Sequence, residues 1–206
     1  MKLTVTTFLS VDGVVQGPGG PEEDRDGGFD RGGWLVPYAD EDLGRQIVTW
    51  FAEADAFLLG RRTYQIFAAH WPRVTDPNDS VAAGLNTLPK HVVSRTLSTV
   101  EWNNSTLLSG DLAEEVAELK SRPGRELQLH GSPTLVNGLL ELGLVDELRL
   151  IVFPVVVGAG RRLFPQSGPA RALRLVDAKT TGAGAAIHVY QPAGALTFGS
   201  FMFEDE

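Results

Sequence analysis

The sequence predicts an α/β protein in three layers, a mixed central sheet flanked by helices. Three observations predict it. Short apolar runs alternate with stripes of helical spacing in the order β-α-β-α-β-β-α-β-α-β, so that helices cross over between parallel strands. The last part of the chain turns to strands alone, separated by Gly and Pro turns, which indicates antiparallel pairing toward the C-terminal end. Twice, an apolar strand passes through a glycine directly into a helix. The 206 residues show no internal repeat and no dividing linker, so a single domain over 1–206 is expected.

Each element has its own signal. Leu3, Val5, Thr7 and Leu9 alternate as a first strand rather than as a leader peptide. Residues 12–34 carry eight glycines together with Glu22, Glu23, Asp24, Asp26 and Asp30. A structureless stretch of that length is either a lid or binding loop, or a solvated insertion. Leu43, Ile47, Trp50, Phe51 and Ala54 mark one face of a helix over 40–54, and 56–59 follows as a short strand. Tyr64, Phe67, Ala68 and Trp71 mark a second helix, stopped by Pro72. Residues 91–93 form a strand that ends at Ser94-Arg95-Thr96.

Asp111 and Glu114 form a capping box ahead of a helix with Leu112, Val116 and Leu119 on its apolar face. After a strand at 126–130, His130-Gly131-Ser132-Pro133 turns into a helix that runs to Leu142, with Gly143 as a left-handed cap. A long apolar strand covers 146–157, and 172–179, 186–191 and 196–203 are the closing strands.

With 43% apolar and 21% charged residues, the chain has material for a substantial core. A net charge of −8 argues against generic nucleic-acid binding, which requires a basic surface. The absence of cysteine excludes disulfides, thiolate metal sites and thiol catalysis. His70, His91, His130 and His188 are dispersed, so no metal site is expected. The longest apolar run, 151–157, contains Pro154 and falls far short of the ~20 residues of a membrane span. A cytoplasmic location is expected.

Two strand-to-helix turns share one chemistry. Leu58-Leu59-Gly60-Arg61 and Gln128-Leu129-His130-Gly131 each place a glycine where a helix begins. There the first amides lack internal partners and the macrodipole is positive. Glycine admits a ligand close to the backbone, and in an open α/β sheet ligands collect at the carboxyl ends of strands. Two such turns suit a pyrophosphate. Arg61 and Arg62 beside Thr63, and Arg95 beside Ser94, pair guanidinium with hydroxyl, which suits a phosphate monoester. Ser132 is a preferred N-cap and Pro133 is preorganised for the first helical position. No Rossmann fingerprint, Walker motif or G-x-S-x-G elbow is present.

At these residues the chain resembles the dihydrofolate reductase-like superfamily, and most closely the reductase domain of the riboflavin-biosynthesis deaminase-reductase and its stand-alone relatives. FLSVDGVV, LLGRRTY, VVSRT and HGSPTLVNGLLELGLVDELRLIVFPVVVGAGRRLF carry the resemblance, from about residue 7 to 164. It implies NADPH as cofactor. Gly60, Arg61 and Thr63 would hold the phosphates and the adenosine side, and Ser94 and Arg95 the 2′-phosphate. Gly131, Ser132, Thr134 and Leu135 would line the pyrophosphate and nicotinamide end. Gly158 and Gly160 match a glycine-rich loop near the substrate mouth. The family often has Gly-Gly where this chain has His130-Gly131, and its deaminase domain has no counterpart here.

The expected activity is reduction of a small pterin- or pyrimidine-like heterocycle. Asp12 and Asp40 are the candidates to contact the acceptor or relay a proton, provided burial raises the pKa; as ordinary structure they are a turn residue and an N-cap. Trp34 and Tyr38 could stack on the acceptor or pack in the core. Two other readings are a noncatalytic NADP-binding or sensor protein, and a dihydrofolate reductase proper, which the segment around Asp40 fits poorly. Phe198, Phe201, Met202 and Phe203 on a late strand suggest a covered sheet edge or a homodimer.

Overall fold

The computed structural model describes residues 1–164, 166 and 168–201. In chain order the elements are β1 (Lys2–Ser10), α1 (Glu41–Phe51), β2 (Ala54–Gly60), α2 (Arg61–His70), α3 (Ser80–Thr87), β3 (Lys90–Val93) and β4 (Ser105–Leu108). Then come α4 (Leu112–Ser121), β5 (Glu126–His130), α5 (Pro133–Glu141), β6 (Glu147–Phe153), β7 (Leu173–Thr180) and β8 (Ala186–Pro192). All strands join one sheet in the order β4-β3-β2-β5-β1-β6-β8-β7. The run from β4 to β6 is parallel; β8 is antiparallel to both β6 and β7.

Strand alternation sorts the core into two layers. Leu3, Val5 and Leu9 of β1, Leu58 of β2 and Leu127 and Leu129 of β5 point to one face, where Val116 and Leu119 of α4 and Val136 and Leu139 of α5 cover them. Phe57 and Leu59 point to the opposite face, against Tyr64 of α2 and Leu85 of α3. Leu43 and Trp50 of α1 lie on that side as well, over Ile151 and Phe153 of β6. The sheet therefore sits between α1–α3 and α4–α5, the three-layer α/β arrangement expected.

Most boundaries fall where the sequence puts them, and the exceptions have local causes. Helix α1 stops at Phe51, because Ala54 already pairs with Glu126 in the sheet. The strand expected over 146–157 ends at Phe153, where Pro154 cannot donate to a ladder and Val155 N turns back to Phe153 O at 2.7 Å. Helix α3 and the short edge strand β4 had no assigned residues; Asp79 starts α3 by accepting from Val81 N and Ala82 N. Residues 196–201 do not form the expected strand; after β8 they pair with no strand among the described residues. Met202 and Phe203 lie outside the described residues. Gly143, with φ of 66°, closes α5 as expected, its amide on Leu140 O and that of Leu144 on Leu139 O.

Candidate functional site

Strands β2 and β5 are neighbours, yet the helices that follow them leave to opposite faces of the sheet. That divergence is a topological switch point, the place in an open α/β sheet where ligands collect at the carboxyl ends of strands. Both expected mouths are there. Gly60 is the N-cap of α2 and offers no side-chain acceptor. Ser132 is the N-cap of α5, but its hydroxyl caps nothing; the residue is left-handed, with φ of 61° and ψ of 72°. The amides at the start of both helices are therefore without internal partners. Pro133, at the first position of α5, has none to offer.

The two mouths touch one another. A Cβ on Gly60 would lie 1.9 Å from Ser132 Oγ and 2.8 Å from Ser132 Cβ. Thr63 Oγ1 donates to Ser132 Oγ at 3.4 Å. With φ of −74°, Gly60 is in a conformation any residue adopts, so it is Ser132 that demands the glycine. Gly131 (φ 68°) and Ser132 make two consecutive left-handed residues. For a serine that conformation costs about 1–2 kcal/mol, strain of the kind that gathers at ligand-clamping turns. Thr134 is exposed, whereas the Leu135 side chain is in the core, so only its backbone faces the mouth.

The cations divide into two sets. Arg61 Nη1 donates to Thr96 Oγ1 at 2.8 Å, across to the end of β3. Ser94 Oγ accepts from the amides of Thr96 and Leu97 at 3.2 and 3.0 Å, making a tight turn there. Arg95 is exposed and makes no ion pair or hydrogen bond among the described residues. Arg62, by contrast, is occupied: it pairs with Asp24 at 3.0 Å and with Asp26.

Those partners belong to the acidic Gly-rich segment, which is exposed along much of its length but anchored at Gln16, Asp24 and Phe29. Asp24 is buried and also pairs with Arg161. Gln16 Nε2 donates to Asp24 O at 3.2 Å and to Asp26 O at 3.0 Å, and Trp34 Nε1 donates to Gln16 O at 2.8 Å. Phe29 packs with Val14 and Val157. The segment is thus bolted to α2 on one side and to the chain after β6 on the other. Asp24, Gln16 and Thr96 were missed as site-building residues; the only sequence signal was a run of acids facing arginines far away in the chain.

Asp12 ends β1 and accepts from Ser10 Oγ at 2.7 Å, Val157 N at 3.0 Å and Gly158 N at 2.9 Å, with Arg162 at 3.3 Å. Burial pushes its pKa up, but these hydrogen bonds outweigh it and hold the carboxyl well below the usual range. Asp40 is the N-cap of α1, accepting from Leu43 N at 2.8 Å and from Ala183 N at 2.7 Å in the β7–β8 turn. Those two bonds lower its pKa too. The raised pKa that a proton relay requires is thus met at neither position; each carboxylate accepts from backbone amides, as the turn and N-cap readings have it.

Gly158 (φ 80°) is the residue whose amide meets Asp12. At Gly160 a Cβ would meet Phe29 at 2.8 Å, so packing of the acidic segment requires that glycine. The His130 side chain is held by aromatic packing. Its ring stacks on Phe51 at 4.8 Å and lies beside Phe57, with Nε2 on Gln128 Oε1 at 3.3 Å. Burial first, and the charge of Arg149 second, push its pKa down to about 3. Trp34 packs edge-on against Phe153 at 5.8 Å, and Tyr38 lies partly buried in the same cluster. Among the described residues no group of three or more His, Asp or Glu is placed to hold a metal, and no helix is long and apolar enough to cross a membrane.

This chain is similar to YyaP of Bacillus subtilis (strain 168), 28% identical over 191 residues, which cover 92% of this chain and 94% of that protein. YwjB of the same organism is 25% identical over 188 residues, covering 91% and 96%. Among solved structures, a putative riboflavin biosynthesis protein from Shewanella sp. PV-4 superposes with a TM-score of 0.72 at 19% identity, over 94% of this chain and 99% of that one. A pyrimidine reductase-like protein from Corynebacterium diphtheriae gives 0.60 at 14% identity, over 93% and 92%. RibD of Acinetobacter baumannii also gives 0.60 at 14%, and there the chain spans 58% of the protein it matches. These likenesses establish the fold, the dihydrofolate reductase-like α/β architecture with antiparallel C-terminal strands. The family model of the RibD C-terminal domain matches residues 1–187, and the chain belongs to that family.

Proposed function

We propose that the chain binds NADPH across the crevice between α2 and α5 and reduces a small pterin- or pyrimidine-like heterocycle, in the manner of the uracil reductase of riboflavin synthesis. The single observation that carries this reading is the contact of two helix N-termini at the switch point, where Gly60 meets Ser132. Membership of the RibD C-terminal domain family supports a reductase-type activity, and the names of the structural relatives point to riboflavin and pyrimidine chemistry.

The residues present fit such a cofactor. The first amides of α2 and of α5 and the hydroxyls of Thr63 and Ser132 are donors for a pyrophosphate. Arg61, hydrogen-bonded to Thr96, and Arg95, which precedes Thr96 in the chain, suit the extra phosphate that distinguishes NADPH from NADH. When bound, the reduced nicotinamide supplies the hydride. The chain's own part is binding and orientation. Asp12 fixes the 157–158 turn beside the end of β1, and Asp40 ties the start of α1 to the β7–β8 turn. Both are ionised at neutral pH, so the proton that accompanies reduction comes from water rather than from either carboxyl. The ionised state of both candidate carboxylates favours a second reading, a noncatalytic NADP-binding sensor.

The test is titration with NADPH and NADH followed by nicotinamide fluorescence, then NADPH oxidation against a panel of pterins and pyrimidines. Micromolar binding with an NADPH preference, and turnover of one acceptor, are expected. Binding without turnover on any acceptor would favour the sensor, and no binding to either nucleotide would end both readings.

A further inference from the structure

The stretches of chain that follow β1, β2 and β6 carry a belt of alternating arginines and aspartates. Arg62 of α2 pairs with Asp24 at 3.0 Å and with Asp26. Arg161, after β6, reaches back to the same two carboxylates, with Asp26 at 3.5 Å. Arg162 pairs with Asp12 at 3.3 Å. Arg31 donates to Val157 O and lies 3.8 Å from Asp30. Four arginines thus meet four aspartates, and each arginine has a carboxylate beside it. The cofactor turns are the opposite. Arg61 bonds the hydroxyl of Thr96, and among the described residues neither it nor Arg95 meets a carboxylate. Positive charge is therefore unbalanced at the phosphate turns and balanced along the belt. Because β1 lies next to β5, whose end carries the second mouth, the belt borders the place an acceptor must reach.

We infer that the acceptor reduced here is uncharged, a heterocycle that carries neither phosphate nor carboxylate. This substrate class rests on the reductase reading above and goes beyond it. A phosphate monoester is held by arginines free to give it bidentate hydrogen bonds. Each arginine of the belt would first have to leave an aspartate. Asp24 is 7% exposed and serves Arg62 and Arg161 together, so withdrawing them strands a charge away from water. Asp12 cannot swing aside from Arg162, because Ser10 Oγ and the amides of Val157 and Gly158 fix its carboxylate. An anion placed there would meet like charge. Asp30 is exposed and holds Arg31 loosely, but Val157 O occupies that guanidinium as well. A neutral ring passes the belt with every pair intact.

Calorimetric titration in saturating NADP⁺, which blocks turnover, compares two matched pairs of probes: uridine with uridine 5′-monophosphate, and riboflavin with its 5′-phosphate. Within each pair, the member without phosphate should bind as tightly or more tightly. D26N removes one charge from the belt at a half-exposed position and should shift each ratio about threefold toward the phosphorylated member. Tighter binding of either phosphorylated probe by the unaltered chain overturns the proposal. So does a ratio that D26N leaves unmoved, and so does failure of every probe to bind where NADPH does. A chain that binds no NADPH loses the reductase reading and this substrate class together. NADPH binding with a preference for the phosphorylated probes removes the substrate class alone.

Discussion

Substituting Gly60 by alanine tests the join between the two mouths. The backbone there accepts any residue, with φ of −74° and ψ of 158°, so no conformational penalty confuses the result. The new methyl would stand 1.9 Å from Ser132 Oγ, more than an ångström inside normal contact, and rotating that hydroxyl away leaves Ser132 Cβ still too close at 2.8 Å. The left-handed turn itself must therefore move. Overpacking of this kind costs about 1–3 kcal/mol, which for a chain of this size lowers Tm by ~2–4 °C per kcal/mol. Urea unfolding measures the loss, and nicotinamide fluorescence should show NADPH affinity falling at least tenfold.

S132G removes the colliding atoms and suits a φ of 61°, so alone it should gain about 1 kcal/mol. In the G60A background it should restore most of the lost stability, a coupling of about 1–3 kcal/mol in the double-mutant cycle. Additive effects of the two substitutions would refute the contact on which the crevice depends.

R61A and R95A should each weaken NADPH about 10–100-fold, the worth of a charge-assisted hydrogen bond, while leaving NADH nearly unchanged. R62A should lower stability without altering the NADPH-to-NADH ratio in the same titrations, because Asp24 and Asp26 hold that guanidinium. D24N, at a buried carboxylate shared by Arg62 and Arg161, should cost about 1–3 kcal/mol in urea unfolding, and D26N at most about 1, since Asp26 is half exposed. His130 titrates at about 3 when folded and near 6.5 when unfolded, so the unfolded chain takes up its proton first. Its neutral ring therefore contributes fully above pH 6.5 and progressively less as pH falls toward 3, and H130Q should flatten the acid side of a Tm-against-pH curve. Asp12 has the depressed pKa of a well-bonded carboxylate, so its contribution persists until pH falls below about 4; D12N should change stability at pH 7 and lose that difference in strong acid.

Much of this molecule is visible in local pattern, because alternation and helical spacing report which face of an element is buried. The strand-glycine-helix turns at Gly60 and Gly131 could be found that way, as could the caps at Asp40, Asp111 and Gly143. What escaped depends on contacts between distant residues. Nothing near Arg62 in the sequence reveals that Asp24 will hold it, so Arg62 looked as free as Arg61. Gly60 was read as space for a ligand, when the group that comes close is Ser132, 72 positions away. The carboxyl pKa values are lowered first by local donors, Ser10 Oγ for Asp12 and Leu43 N for Asp40, and further by the amides of Val157 and Ala183, which no spacing around either residue announces. Residues 196–201 have strand-forming composition, but a strand requires a paired neighbour, and they pair with none among the described residues.

The place of β1 has a consequence for how the molecule comes to be made. It is the first strand of the chain, yet it lies between β5 and β6, paired from Lys2 with Glu126 and from Thr4 with Glu147. Its hydrogen bonds must wait for partners synthesised more than a hundred residues later. Sheets assembled from such remote pairings fold slowly and expose apolar strands meanwhile. On the ribosome, the segment through β4 can form α2 and its mouth, but the centre of the sheet stays open until β5 and β6 emerge. The crevice between α2 and α5 thus forms only in the same late step that closes the core, and a chain halted before residue 126 would have neither.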